Sequence, residues 1–214
     1  MYTRKQEMKW ICPHCGRAQK SVIYTTVSVQ EEPDCTKKIL DTSLFRMKCS
    51  QCGKEEYYTG PLLYVDEKKK FVVAMAADDT FDQQAAQYLS LGYQVRQVNE
   101  IVDPCEKILI QFNQRDDRIV ELMKAANAVL LKGQVYERML YAPDEDRVYF
   151  ELVQGTASAG RIPFLEAVYE DLQEQFAQQL IQQEDETRID LAWAAAFFAK
   201  EYPVGSGVTN GKIQ

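Results

Sequence analysis

Four cysteines stand in two close pairs, Cys12-Pro13-His14-Cys15 and Cys49-Ser50-Gln51-Cys52, each followed at once by a glycine, Gly16 or Gly53. A Cys-x-x-Cys turn sets both sulfurs on one ion, and two such turns supply the four soft ligands of a tetrahedral site at Zn–S distances of ~2.3 Å. The glycine provides the positive φ that turns backbone N–H groups toward the sulfurs, and Pro13 stiffens its turn before metal arrives. Cys12, Cys15, Cys49 and Cys52 are therefore expected to hold one structural Zn2+ per chain, with no open position for a catalytic water. Segment 16–48 between the pairs exceeds the ~15–20 residues of a compact ribbon. Closure costs only about 0.6 kcal/mol per doubling of loop length, small beside the roughly 10 kcal/mol a structural zinc supplies. Iron also suits four thiolates and stands as the alternative metal. Dithiol redox chemistry would want a pair at the start of a helix beside a βαβ unit, and neither pair reads that way.

The remaining candidates are weaker. His14 is the single histidine, which excludes any site built from two or more imidazoles; inside the first turn it reads as a surface residue rather than a ligand. Cys35 and Cys105 are isolated and read as small buried groups. Asp116-Asp117 could serve a second metal or acid–base work, but Arg115 and Arg118 beside them favour a solvated, salt-bridged helix joint. Gly155 to Gly160 has the glycine spacing of a phosphate loop without its Gly-Lys-Ser/Thr ending. Tyr57, Tyr58, Tyr64 and Phe71 could stack bases beside Lys48, Lys54 and Lys68, although strand aromatics are more often plain core. No catalytic constellation emerges.

These residues must be positioned by a chain of 214 residues, 46% hydrophobic and 27% charged, with net charge −7. That is an ordinary globular composition for one or two domains. β-branched and aromatic residues over 3–30 predict strand, metal turn, strand, and Asp34 is expected to cap a short helix before Phe45–Lys48 runs extended into the second pair. Residues 55–65 and 70–76 read as further strands. Asp78-Asp79-Thr80 mark a helix start, with a strand over 93–98 after it. Asp103-Pro104-Cys105-Glu106 fits an N-cap, a first-turn proline and a capping acid. An apolar stripe from Cys105 to Leu130, interrupted at 114–118, predicts two helices or one with a polar joint. Strands follow over 135–141, 147–153 and 161–164, then a helix with Leu165, Val168, Leu172, Phe176 and Leu180 on one face and another carrying Ile189, Trp193 and Phe197. The expectation is an α+β chain: a zinc-ribbon-like β module of antiparallel strands over 1–76, helices over 77–133, an α+β part with a small β-hairpin and C-terminal helices over 134–203, and a flexible tail over 204–214.

Charge is uneven: residues 1–60 carry net +3, 61–150 net −4 and 151–214 net −6. A phosphate backbone would be repelled by most of the chain, although the basic end coincides with the cysteine pairs. The N-terminus lacks an apolar signal region, and the longest apolar run, 191–199, is far short of the about 20 residues of a membrane span. A cytoplasmic protein with reduced thiols is expected.

The pattern resembles the CpXC family of bacteria and archaea, named for paired Cys-Pro-X-Cys motifs. Pro61 to Asp66 with Lys69-Lys70-Phe71 is similar to that family's strand after the second motif. Glu106-Lys107-Ile108, Phe112, Asp116-Asp117-Arg118 and Glu121 through Lys124 are similar to its helical segment. The likeness runs over about residues 9–131, with Ser50 in place of the motif's proline and Val65 where histidine is expected. It implies a zinc-ribbon-like domain and no established activity. The reading is a non-enzymatic protein-interaction or regulatory module, its partner another protein or itself. A nucleic-acid-binding ribbon comes second, and an enzyme using Asp116 and Asp117 third.

Overall fold

In the computed structural model, residues 2–75, 81–145 and 147–203 are described. The β-branched start of the chain forms β1 (Arg4–Ile11) and β2 (Ala18–Ser28), an antiparallel hairpin whose turn is the first cysteine pair. Helix α1 (Asp34–Leu40) and a 3-10 turn (Ser43–Phe45) lead to a second, short hairpin, β3 (Arg46–Lys48) and β4 (Glu55–Tyr57), whose turn is the second pair. Pro33, not Asp34, holds the N-cap position of α1, and no side chain caps it.

The expected strand over 55–65 is split. Gly60 and Pro61 separate β4 from β5 (Leu62–Asp66), which pairs antiparallel with β6 (Phe71–Met75). After α2 (Phe81–Ser90), β7 (Gln94–Val98) runs parallel to β6. The main sheet has the order β1-β2-β5-β6-β7 and is mixed rather than antiparallel, because the β2–β5 and β6–β7 connections each cross over through a helix. Every residue of β6 is buried, as its unbroken apolar run Phe-Val-Val-Ala-Met requires of a strand covered on both faces. Val27, Tyr64, Val73 and Met75 pack toward Ile39 of α1 and the helix over 102–112, while Val65, Val72 and Val95 pack toward Phe81 and Ala85 of α2. The helix start expected at residues 78–80 lies outside the described residues.

The interrupted stripe resolves into two helices, α3 (Val102–Phe112) and α4 (Asp117–Leu130). Helix α3 begins one residue before the expected capping aspartate, and Asp103 instead accepts the backbone N–H of Glu100 at 2.9 Å, closing the preceding turn. The C-terminal sheet has three antiparallel strands, β8 (Arg138–Pro143), β9 (Val148–Gln154) and β10 (Ala157–Pro163), and the glycine pair at 155 and 160 serves its second hairpin. The next helix is broken at Phe176 into α5 (Glu166–Gln175) and α6 (Ala177–Ile181). Val168 and Leu165 remain exposed, and Tyr169 is the buried residue of α5. Its ring meets Phe164, and its hydroxyl accepts the Asp116 N–H at 2.8 Å, which an aliphatic side chain could not do. Helix α7 (Leu191–Glu201) is N-capped by Asp190 through the Trp193 N–H at 2.8 Å. The expected flexible tail, 204–214, lies outside the described residues. No helix among the described residues is long and apolar enough to cross a membrane.

Candidate metal centre

The two cysteine turns are built alike. Cys12 N–H donates to the Arg17 carbonyl and Gly16 N–H to the Cys12 carbonyl; Cys49 N–H donates to the Lys54 carbonyl and Gly53 N–H to the Cys49 carbonyl, all at 2.8–3.0 Å. Gly16 and Gly53 have φ of 70° and 72°, with open space where a Cβ would stand, so backbone conformation alone calls for glycine. The turns face each other and bring the Sγ atoms of Cys12, Cys15, Cys49 and Cys52 within 4.8 Å of one another. Cys12 to Cys52 and Cys15 to Cys49 are both 3.7 Å. An ideal tetrahedron with ~2.3 Å metal–sulfur bonds has edges of about 3.8 Å, so the cluster has the size of a four-thiolate metal site.

Its electrostatics point the same way. Backbone N–H groups of Cys52 and Gln51 draw the Cys49 thiol down to about 6. The Arg17 N–H acts likewise on Cys15, but burial and the three neighbouring sulfurs outweigh it and push that thiol up to about 12. Four sulfurs this close do not ionise together without a cation between them. Cys12 and Cys49 are buried, and Cys15 and Cys52 face solvent.

Two further contacts tie the hairpins together. His14, exposed and outside the sulfur cluster, places Nε2 2.9 Å from Glu56 on β4. Ser50 donates both its N–H (3.1 Å) and its hydroxyl (2.8 Å) to Oε1 of Gln19 on β2. A proline at position 50 could make neither bond, which accounts for serine there. Val65, the other departure from the family pattern, is fully buried in the centre of the sheet, where an imidazole would need a polar partner.

The other candidates separate. Cys35 is buried and directs its thiol to Glu32 at 3.3 Å; Cys105 is buried against the Ile39 carbonyl at 2.9 Å. Tyr64 and Phe71 are core residues whereas Tyr57 is exposed, so the four aromatics do not share a stacking face. Asp116 N-caps α4 through the Arg118 N–H at 2.9 Å and pairs with the Arg118 guanidinium. Asp117 was expected at a solvated joint and is instead 4% exposed. The two carboxylates do not converge on a common pocket.

Asp117 belongs to a chain of six buried charges. Arg96 of β7 grips it with two bonds of 2.7 Å. Lys107 of α3 lies 3.1 Å from Asp117 and 3.1 Å from Glu121, and Lys124 lies 3.0 Å from Glu121 and 2.6 Å from Glu106. Glu106 accepts the Tyr141 N–H, and three carbonyls complete the cations, Ile189 for Lys107 (2.6 Å) and Val95 (2.7 Å) and Glu186 (3.0 Å) for Arg96. A cavity of about 240 Å³ opens on Glu106, Lys107, Glu121 and Lys124, whose polar atoms are already partnered by one another. Glu121 and Lys124, three residues apart inside the apolar run 119–126, were the sequence signal for this cluster. Burial opposes the charge on Asp117, but Arg96 and Lys107 outweigh it and hold the carboxyl far below the usual range.

A depressed carboxyl stabilises the fold fully above its unfolded pKa of about 4, and the stabilisation is lost as pH falls toward the folded value. Asp117→Asn should cost about 3 kcal/mol or more at neutral pH, because Arg96 and Lys107 lose a buried partner. Urea unfolding at stepped pH checks this: the gap between wild type and variant should narrow below about pH 4, and a constant gap would contradict the account. Ser50→Pro should lower the thermal midpoint and loosen the contact between the two cysteine turns, so that a chromogenic thiol reagent reacts faster with the four cysteines than in wild type.

A search of curated proteins and of solved structures finds no match to this chain. The family described as CpXC protein matches residues 11–124, a span that holds both cysteine turns and all six buried charges. With more than half of its length matched, and with the paired cysteines brought together as that family's motif requires, the chain belongs to the CpXC family.

Proposed function

We propose that the chain is a non-enzymatic, cytoplasmic protein-interaction or regulatory module whose N-terminal zinc-ribbon-like part is held by one structural Zn2+ on Cys12, Cys15, Cys49 and Cys52. The observation that carries this is the closed four-sulfur cluster binding two hairpins into one unit. An all-sulfur tetrahedron leaves no position for substrate or water, and the nearby imidazole is engaged by Glu56. The charge balance of the buried cluster, three cations against three carboxylates in mutual contact, fits a structural role better than a general base awaiting a substrate.

A nucleic-acid-binding ribbon is the second reading. Exposed Arg17, Lys48 and Lys54 around the cysteine turns favour it, and among the described residues none of the three has a carboxylate partner. It predicts binding that weakens steeply with salt and is lost on Lys48→Glu with Lys54→Glu.

Elemental analysis of the purified chain, with and without Cys49→Ser, tests the metal. One zinc per chain is expected, lost in the variant together with much of the stability of the N-terminal part, which chelator should remove equally in wild type. Iron, or no metal with four reactive thiols, would replace this reading with electron transfer or thiol redox chemistry. Zinc-dependent crosslinking of the native chain to a protein partner tests the interaction role.

A further inference from the structure

The hairpin of β1 and β2 leaves the main sheet as an arm. β2 pairs with β5 only over Thr26–Ser28, whereas β1 and β2 stay in register from Lys5 opposite Tyr24 to Ile11 opposite Ala18. The cysteine turn is at the arm's tip, and β1 is an edge strand, paired among the described residues with β2 alone. Its outer N–H and C=O groups therefore form a row with no strand beside them.

Alternation puts Glu7, Lys9 and Ile11 of β1 on one face with Ala18, Lys20 and Val22 of β2, and all six are exposed. Ile11 is 71% and Val22 64% exposed. Lys9 stands directly opposite Lys20, a like-charge cross-strand pair that destabilises an isolated ribbon. Lys20 reaches Glu7 at 2.8 Å, Lys5 is held by Glu32 at 2.6 Å, and among the described residues no carboxylate pairs with Lys9. Two aliphatic side chains thus flank a pair of lysines with one carboxylate between them, on an arm stiffened at its tip by the sulfur cluster.

We infer that the open edge of β1 and this exposed face dock an extended segment of a partner protein that carries both carboxylates and aliphatic side chains. The main-chain row supplies the hydrogen bonds of an added strand, and alternate side chains supply the selection. Charge complementarity chooses the occupant. β1 carries three cations, Arg4, Lys5 and Lys9, against one carboxylate, Glu7, so a second copy would meet an edge of the same net charge, which is how edge lysines discourage self-pairing. A nucleic acid would want exposed aromatics, but the arm's Trp10 is half-buried on the opposite face and bonded to Ser21 at 3.0 Å, and its Tyr24 is half-buried against the core with Lys5 over its ring at 4.9 Å. An acidic, aliphatic strand beside β1 sets its carboxylates next to Lys9, with Lys20 one strand further in, and its aliphatic side chains next to Ile11. The inference rests on the protein-interaction reading and names its surface and the partner's chemistry.

The test uses the zinc-loaded full chain and labelled peptides the length of β1 with Thr at every second position, one carrying Val and Glu by turns at the positions between (the Val/Glu peptide) and one carrying Val and Lys there (the Val/Lys peptide), so that both residue types share one face of an added strand, followed by fluorescence anisotropy. The Val/Glu peptide should bind and the Val/Lys peptide should not. Lys9→Glu with Lys20→Glu should weaken the first by about tenfold or more and transfer the preference to the second, a gain that an unfolded variant cannot give. N-methylation of alternate amides in the Val/Glu peptide should abolish binding if it adds as a strand. Equal affinity for both peptides, an unchanged preference in the variant, or displacement of the peptide by a single-stranded oligonucleotide would overturn the inference. So would a crosslinked partner that the charge-reversed chain holds as well as the native one, and the interaction reading would then stand without this surface. Absence of any zinc-dependent partner of the native chain is the separate failure of that broader reading.

Discussion

Six buried charges that must be satisfied together govern how the halves of this chain meet. Arg96, Asp117, Lys107, Glu121, Lys124 and Glu106 alternate in sign, so each ion has an opposite neighbour within hydrogen-bond reach and the set is neutral. Such a cluster is weak evidence of stability, since apolar residues of equal volume often serve as well, but it cannot lose one member without orphaning another. The geometry it enforces is specific. β7 from the main sheet, α3 and α4 are locked in one register, and the carbonyls at 186 and 189 and the N–H of Tyr141 draw the C-terminal part onto the same point.

The cysteine cluster answers a different need. β3 and β4 have only three residues each and make their own two-stranded sheet, too little to stand alone in water. The β1–β2 arm is exposed along most of one face. Neither hairpin buries enough apolar surface to fix the other, and the direct ties between them are the His14–Glu56 pair and the Ser50–Gln19 bonds. A metal ion held by the four sulfurs, as proposed, would supply the cross-tie that gives two such thin elements a defined mutual position.

The cysteine turns were legible from sequence because ligation of one ion by a turn is a local demand that fixes residue type and spacing. The apolar run of β6 and the period of α4 were legible for the same reason. What sequence hid was long-range. Asp117, beside Arg115 and Arg118, suggested a solvated joint, yet its partners Arg96 and Lys107 come from other elements. The parallel β2–β5 pairing follows from where α1 and the second hairpin cross, which no strand pattern records. Tyr169 displaced Val168 from the core because its hydroxyl had a backbone N–H to meet, a condition outside any hydrophobic period.

The cations Arg96 and Lys107 are completed by main-chain oxygens of Glu186 and Ile189, and the segment between them returns a further backbone bond from Gln97 N–H to the Thr187 carbonyl. Every amino acid carries such a carbonyl, so the ions themselves fix the spacing of this stretch rather than its residue types, and the one side chain that shapes the turn is that of Glu186, whose Oε1 accepts the N–H groups of Thr187 and Arg188. Length is what the ions constrain most tightly: one residue inserted or removed would carry the carbonyls past the cations they solvate.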